Sequence, residues 1–343
     1  MAVADRAAQL AEMPMVREVA VTSVGLDALL GKADEPFVAR GLVTDWPLVQ
    51  AGLVSACEAR AHILAHARDR DFPVSIGEDN ASGRLFYDAA MQVNFRMEQG
   101  KLGRIFAGFD AREGLSDAAA VYLGSIDLEQ YFDGLDAANP IDLGAREPIA
   151  SIWIGNATAI AAHNDFPDNL ACCAVGRRRF TLFPPDQFAN IYLGPIDNTP
   201  AGRPVSMVNW SAPDPAAHPR AGEARAAAQV AELGPGDALF IPSLWYHQVE
   251  ALDPFNVLVN YWWRDTPRYL GQPQNALNHA ILTIRDLPED ERAIWRAMFE
   301  HYVFSGGDAA RAHLAPDAQG VLAPFTADSA GRMRAFLLRS LTR

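Results

Sequence analysis

Basic charge, cysteine and long apolar runs are what this chain has least of. Lys and Arg number 29 against 42 Asp and Glu, leaving a formal charge of −13 at pH 7. A protein that grips phosphates needs a basic surplus to displace their counterions, so this balance argues against a nucleic-acid partner. The three cysteines, Cys57, Cys172 and Cys173, are too few for a disulfide framework. The adjacent pair lies in Leu170-Ala171-Cys172-Cys173-Ala174-Val175, where both read as small core hydrophobes rather than metal ligands. No stretch approaches the roughly 18 apolar residues of a membrane span. Met1 to Met15 carry acidic residues and no apolar segment of the kind a secretory leader needs. The expectation is a cytoplasmic protein without a membrane anchor. Internal repeats and low-complexity tracts are also missing from the sequence.

What is present is ordinary in bulk and informative in pattern. Of the 343 residues, 50% are hydrophobic and 21% charged, enough for one large core or a core plus an appendage. Residues 1–145 alternate short apolar runs with helical stretches. Pro36 to Gly41 reads as an edge strand entering a turn, Val54 to Arg68 has helical spacing, and 126–134 reads as a short helix. From 149 to 263 the pattern changes to short β-branched or aromatic runs bounded by Gly, Pro or Asp. These are Ser151–Gly155, Arg179–Phe183, Asp237–Ile241 and Asn256–Trp262. Gly234-Pro235-Gly236-Asp237 is a strong turn signal. Many short strands with tight turns predict a mainly β sandwich or jelly-roll barrel flanked by helices. The Pro-, Ala- and Gly-rich stretch 197–228 reads as a long insertion loop, functional or mobile. After Pro273 three segments, Asn275–Ile284, Asp290–Phe304 and Asp328–Leu341, read as helices.

The chemistry concentrates in His163-Asn164-Asp165 and a distant His247, in the phrase Ile241-Pro242-Ser243-Leu244-Trp245-Tyr246-His247. Residues i and i+2 of a strand project to one side of a sheet, so His163 and Asp165 can converge. A second imidazole from another strand completes a two-His, one-carboxylate set. That set takes one face of an octahedral metal and leaves positions open, which suits non-haem Fe(II) and O₂ chemistry. Composition alone can produce a His-x-Asp triplet, and a surface histidine beside a loop carboxylate is the plain alternative. His62 and His66, i and i+4 on a predicted helix, could bind zinc. Ile63 stands where a general base would be needed, so the pair reads as a helix face. Arg177-Arg178-Arg179 reads as a turn entering a strand, where one Arg can point inward while its neighbours are solvated. Trp245, Trp262 and Trp263 read as core or rim aromatics.

Taken together, these motifs resemble the JmjC (cupin-like) 2-oxoglutarate-dependent oxygenases. Within that family the likeness is nearest to the asparaginyl hydroxylase that inhibits hypoxia-inducible factor, and to its bacterial relatives. The resemblance rests on Glu35-Pro36-Phe37-Val38-Ala39-Arg40-Gly41 with Asp45-Trp46-Pro47, and on His163-x-Asp165-x-x-x-Asn169-Leu170. Gly176-x-Arg178, Leu182-Phe183-Pro184-Pro185-Asp186-Gln187-Phe188, Gly234-Pro235-Gly236-Asp237, Ile241-Pro242-x-x-Trp245-x-His247 and Val259-Asn260-x-Trp262 complete it. It implies a double-stranded β-helix (jelly-roll, cupin-like) core over about 149–265, with a helical N-terminal flank. The oxygenase domain would span 1–270, with a C-terminal helical region at 271–343. It also implies that His163, Asp165 and His247 hold Fe(II). Arg178 stands at the position of the family's co-substrate lysine and would engage the distal carboxylate of 2-oxoglutarate bidentately. Asn169, Asn260 and Tyr122 fall where the family places further polar contacts to the co-substrate. The chain departs from the pattern at Ile160, usually a hydroxyl residue; Thr158 or another group would then substitute.

The activity so implied is hydroxylation of a C–H bond in a protein side chain or small molecule, using O₂ and releasing succinate and CO₂. Two other readings stay open: a non-catalytic barrel kept for binding, and a metal-dependent cupin enzyme that does not use 2-oxoglutarate. The C-terminal segment carries apolar residues at helical spacing, including Ile294, Trp295, Met298, Phe299 and Tyr302, then Met333, Phe336, Leu337 and Leu341. That surface either packs on its own barrel or joins two copies. The asparaginyl hydroxylase of the resemblance dimerises through C-terminal helices, which favours a homodimer here.

Overall fold

A computed structural model of the chain describes residues 13–21, 23–78, 83–110 and 119–342. Most of the segment on which the leader reading rests, residues 1–12, lies outside these. Among the described residues fourteen strands fall in two sheets. They are β1 (Glu18–Val19), β2 (Phe37–Ala39), β3 (Asp71–Gly77), β4 (Arg84–Leu85), β5 (Phe95–Lys101), β6 (Val121–Asp127) and β7 (Ile149–Gly155). β8 (Ala159–Asn164), β9 (Asp168–Val175), β10 (Arg178–Phe183), β11 (Gln229–Leu233), β12 (Ala238–Ile241), β13 (Tyr246–Ala251) and β14 (Asn256–Trp263) follow. The larger sheet runs β1-β2-β12-β9-β14-β7-β6-β3-β5 and the smaller β11-β10-β13-β8-β4. Strands 7 to 14 therefore divide four and four between facing sheets, which is a jelly roll within the expected 149–265. The two-residue β1 pairs in parallel with β2, so the expected edge strand at 36–41 is covered rather than free.

Strand alternation sorts the core into three layers. Cys172 faces the helices that cover the larger sheet, among Leu48, Ile63 and Phe106, while Cys173 faces inward among Phe180, Leu182 and Leu239. Both cysteines are free and buried, as expected of core hydrophobes; burial pushes both thiols up, Cys173 to about 12. The third layer takes in part of 197–228, which is a loop apart from the helix Ala221–Ala226. Part of this segment is packed: Val208, Trp210, Ala221 and Ala224 bury against Phe183 and Tyr246 on the outer face of the smaller sheet. The Ser206 hydroxyl accepts from Trp210 Nε1 at 3.1 Å.

The N-terminal half differs from its sequence reading in being partly strand. β3, β5 and β6 extend the larger sheet beyond β7, with β3 pairing β5 over seven residues. Residues 126 and 127 end β6, and the helix expected at 126–134 is only Leu128–Tyr131, capped by the Asp127 carboxylate, which accepts from the Gln130 N–H. The expected helix at 54–68 appears as Ala56–His66, N-capped by the Ser55 hydroxyl.

The chain divides into two compact units, one ending at Arg264 and the other Asp265–Arg343. The second contains helices Pro273–Thr283, Glu289–Phe299 (continued as a π turn to Phe304) and Ala327–Leu341. The last begins with a reciprocal cap between Thr326 and Ser329. No helix among the described residues is long and apolar enough to cross a membrane.

Candidate metal centre

Two neighbouring strands of the smaller sheet bring the histidines together. His163 is the penultimate residue of β8 and Asp165 follows its last residue, Asn164. His247 is the second residue of β13, whose antiparallel register sets it directly opposite His163. Direct cross-strand partners share a face of the sheet, and the two rings lie 4.6 Å apart between centroids. Asp165 Oδ2 is 3.7 Å from His247 Nε2. One donor atom from each of the three residues lies within 4.8 Å of the others.

Both imidazoles are held in the same tautomer by their own strands. His163 Nδ1 is 2.9 Å from the Ala161 carbonyl, and His247 Nδ1 is 3.2 Å from the Trp245 carbonyl. A carbonyl oxygen only accepts, so each Nδ1 carries the proton and each Nε2 presents its lone pair. Burial, and then the neighbouring His163, pull the His247 imidazole down to about 4, which keeps it in the neutral, ligating form. Two neutral nitrogens and one carboxylate oxygen at a cavity wall are a donor set that fits a divalent iron.

The loop carrying Asp165 is clipped on both sides. The Leu244 N–H donates to the Asp165 carbonyl at 2.9 Å. Ser243 donates from its hydroxyl to the Phe166 carbonyl at 2.6 Å and from its N–H to the Asp168 carboxylate at 2.8 Å. Arg203, from the packed insertion, donates to both the main-chain and side-chain oxygens of Asn164, each at 3.1 Å. Its guanidinium lies 3.9 Å from the Phe166 ring centroid.

Arg178 is the inward member of the arginine triplet. Arg177 and Arg179 pair with Asp253 and Glu232 at the surface, whereas Arg178 is 3% exposed. Gly176 makes this possible: at φ +70° its missing Cβ would stand 2.4 Å from the Asn256 side-chain oxygen. One guanidinium nitrogen donates to the Trp153 carbonyl at 3.3 Å, the guanidinium interacts electrostatically with the Tyr122 hydroxyl, and Nε is buried without a partner. Burial lowers the Arg178 pKa, with Tyr122 opposing the shift. Burial also pushes the Tyr122 phenol up to about 12, so it stays protonated at neutral pH. A buried guanidinium with an unused donor, beside a protonated phenol, is a receptor for a carboxylate.

One cavity of about 310 Å³ joins the two ends. His163, Asp165 and His247 line it, as do Arg178, Tyr122, Asn169 and Asn260. Asn260 Nδ2 donates to Asn169 Oδ1 at 3.2 Å, and Trp153 Nε1 donates to Asn260 Oδ1 at 2.6 Å, fixing the pair of amides. Thr158 is the expected residue that does not arrive: it is buried at the β7–β8 turn and is not among the lining residues. Ile160 lines the cavity as an apolar surface. The hydroxyls that do face it are Ser75 and Ser125, on β3 and β6, which the sequence reading missed. The alternation Phe72, Val74, Ile76 against Pro73, Ser75 was the available signal for β3. The His62 and His66 rings lie 5.1 Å apart at a tilt of 57° on their helix, and His66 Nδ1 meets the Asp133 carbonyl; among the described residues no carboxylate completes a metal set with them.

The model of the cupin-like domain matches residues 28–269. The chain belongs to the cupin-like domain family. Lysine-specific demethylase JMJ31 of Arabidopsis thaliana is 35% identical over 132 residues, covering 38% of this chain and 23% of that protein. HSPB1-associated protein 1 of Homo sapiens is 30% identical over 151 residues, 42% of this chain and 30% of that protein. Human tRNA wybutosine-synthesizing protein 5 is 32% identical over 155 residues, 40% and 46% of the two chains. The matched region spans less than half the length of each of these relatives.

Proposed function

We propose that this chain is an Fe(II)- and 2-oxoglutarate-dependent oxygenase that hydroxylates a C–H bond of a protein side chain or small molecule. The observation that carries the reading is the meeting, in one cavity, of the His163–Asp165–His247 donor set with the buried Arg178 whose Nε lacks a partner. When bound, iron and 2-oxoglutarate supply the O₂ activation that oxidises the substrate, with succinate and CO₂ as co-products. The chain's own part is positional. His163, Asp165 and His247 hold the metal, and Arg178 with Tyr122 binds the distal carboxylate. Asn169 and Asn260 shape the floor between them. Apolar walls of Phe180, Ala171 and Leu258 exclude water from the reacting groups.

The nearer likeness to the asparaginyl hydroxylase, read from the motifs, belongs to this proposal, as does a reducing, cytoplasmic setting, which the free cysteines support. So does homodimerisation. In the C-terminal unit Leu282, Trp295, Phe304 and Phe336 are 76%, 42%, 70% and 58% exposed, an apolar surface suited to a second copy. The net charge disfavours a nucleic-acid substrate.

Succinate formation is the test. Anaerobically purified protein given Fe(II), 2-oxoglutarate and O₂ is expected to release succinate, and to lose that activity when any one is withheld. Protein that binds Fe(II) but neither binds nor consumes 2-oxoglutarate would overturn the reading in favour of a metal-dependent cupin enzyme of another kind.

A further inference from the structure

The cavity carries charge only where the proposed iron and co-substrate take it up. Among the described residues that line it, Asp165 is the one carboxylate and Arg178 the one cation. The buried end, around Arg178, Asn169 and Asn260, is the co-substrate's under the proposed function. The other end is marked by lining residues that are themselves open to solvent. Met97 is 64% exposed, and Pro73, Phe95 and Pro200 are half-buried. These come from β3, β5 and the packed insertion, so the entrance lies between the far edge of the larger sheet and that insertion. Its polar groups are occupied or neutral: the Ser75 hydroxyl lies 3.0 Å from Met97 Sδ and the Ser125 hydroxyl 3.5 Å from Ser151 Oγ.

We infer that the reacting part of the substrate is an uncharged, predominantly apolar group, aliphatic or aromatic, and not an ammonium or a carboxylate. This rests on the proposed oxygenase reading of the same cavity. A cation entering past Met97, Phe95 and Pro200 loses its water and, among the described lining residues, meets no carboxylate except Asp165, which a bound metal would neutralise. A carboxylate entering there finds Arg178 already taken by the co-substrate. A neutral side chain loses nothing polar and buries apolar surface on both walls. Apolar walls discriminate poorly between similar shapes, so several neutral groups of similar size are accepted.

Two lining tryptophans, Trp153 and Trp262, give a binding readout independent of turnover. The protein loaded with Fe(II) and 2-oxoglutarate without O₂ would be titrated with the N-acetyl amides of leucine, norleucine and phenylalanine. The N-acetyl amides of lysine, Nε-trimethyllysine and glutamate would be run in parallel. Neutral probes are expected to change the fluorescence at concentrations at least tenfold below the charged ones, and to raise succinate output in air. In Met97→Glu, a change at an exposed strand position, the lysine amide is expected to gain on the leucine amide by about tenfold. Charged probes binding as well as neutral ones, or no neutral probe binding at all, would overturn the inference. An unchanged preference in Met97→Glu would do the same. The separate 2-oxoglutarate binding measurement shows whether the oxygenase reading has failed instead.

Discussion

The barrel and the C-terminal unit use apolar residues in opposite ways. In β9 seven of the eight residues are buried, and in β14 seven of eight. In helices Pro273–Thr283 and Glu289–Phe299 none is buried, and in Ala327–Leu341 only Ala330 is. A sheet with both faces covered turns nearly every side chain into core, whereas a helix commits one stripe and leaves its use to whatever partner arrives. The barrel therefore completes its packing within its own unit, and the helices display a surface that a second copy can cover. Fixed chemistry belongs in the first setting and, under the proposed dimer, assembly in the second.

The sharpest way to break this contrast is at the metal set. His163→Ala or Asp165→Ala is expected to abolish Fe(II)-dependent succinate formation while circular dichroism and melting remain near those of the unaltered chain. Each removes a donor at a cavity wall rather than core volume. Full activity in either variant would show that the ligands lie elsewhere.

A matched pair of tryptophans tests packing against assembly. Trp210→Ala empties a buried site and unties the Ser206 hydroxyl, so denaturant unfolding is expected to show a loss of about 3–5 kcal/mol. Trp295→Glu lies on the exposed stripe of the C-terminal unit. Light scattering is expected to shift from twice the 37.3 kDa chain mass to the single-chain value, with succinate output retained. A 37.3 kDa species from the unaltered chain at micromolar concentration would remove the dimer and leave the exposed stripe without its proposed cover.

Arg178→Ala is expected to raise the 2-oxoglutarate concentration needed for half-maximal turnover by roughly tenfold or more, since a charge-assisted hydrogen bond contributes about 1.5–3 kcal/mol. Lysine at the same position should recover part of this, because it restores charge without the fork. An unchanged requirement would move the carboxylate site to another residue. The smallest effect is expected at Arg203. Arg203→Lys keeps the charge but loses the two-pronged grip on Asn164, so Fe(II) affinity should fall severalfold, about 1 kcal/mol, with the 2-oxoglutarate requirement unchanged. Equal weakening of both would make Arg203 a general stabiliser of the insertion instead.

Much of this was legible in the residues alone, where the governing physics is local. Strand alternation and turn chemistry placed β7, β10, β12 and β14, allowed one arginine of 177–179 to point inward, and set the two cysteines in the core; the family motifs singled out Arg178 as that residue. Family motifs brought His163, Asp165 and His247 into one set, along with Tyr122, Asn169 and Asn260. Helical spacing outlined the C-terminal segments to within two residues or so. Tertiary structure decided what depends on pairing between distant segments. The β8–β13 register that sets His163 opposite His247 has no local signature, because either strand alone permits other alignments. Strand β5 carries charged and polar residues that mute its alternation, so the wall bearing Phe95 and Met97 emerged only from its pairing with β3. Thr158 looked available by position, yet it is buried at the β7–β8 turn and does not line the cavity. The 197–228 segment looked loose by composition, and part of it packs because the outer face of the smaller sheet offers Phe183 and Tyr246 for its small and aromatic residues to cover.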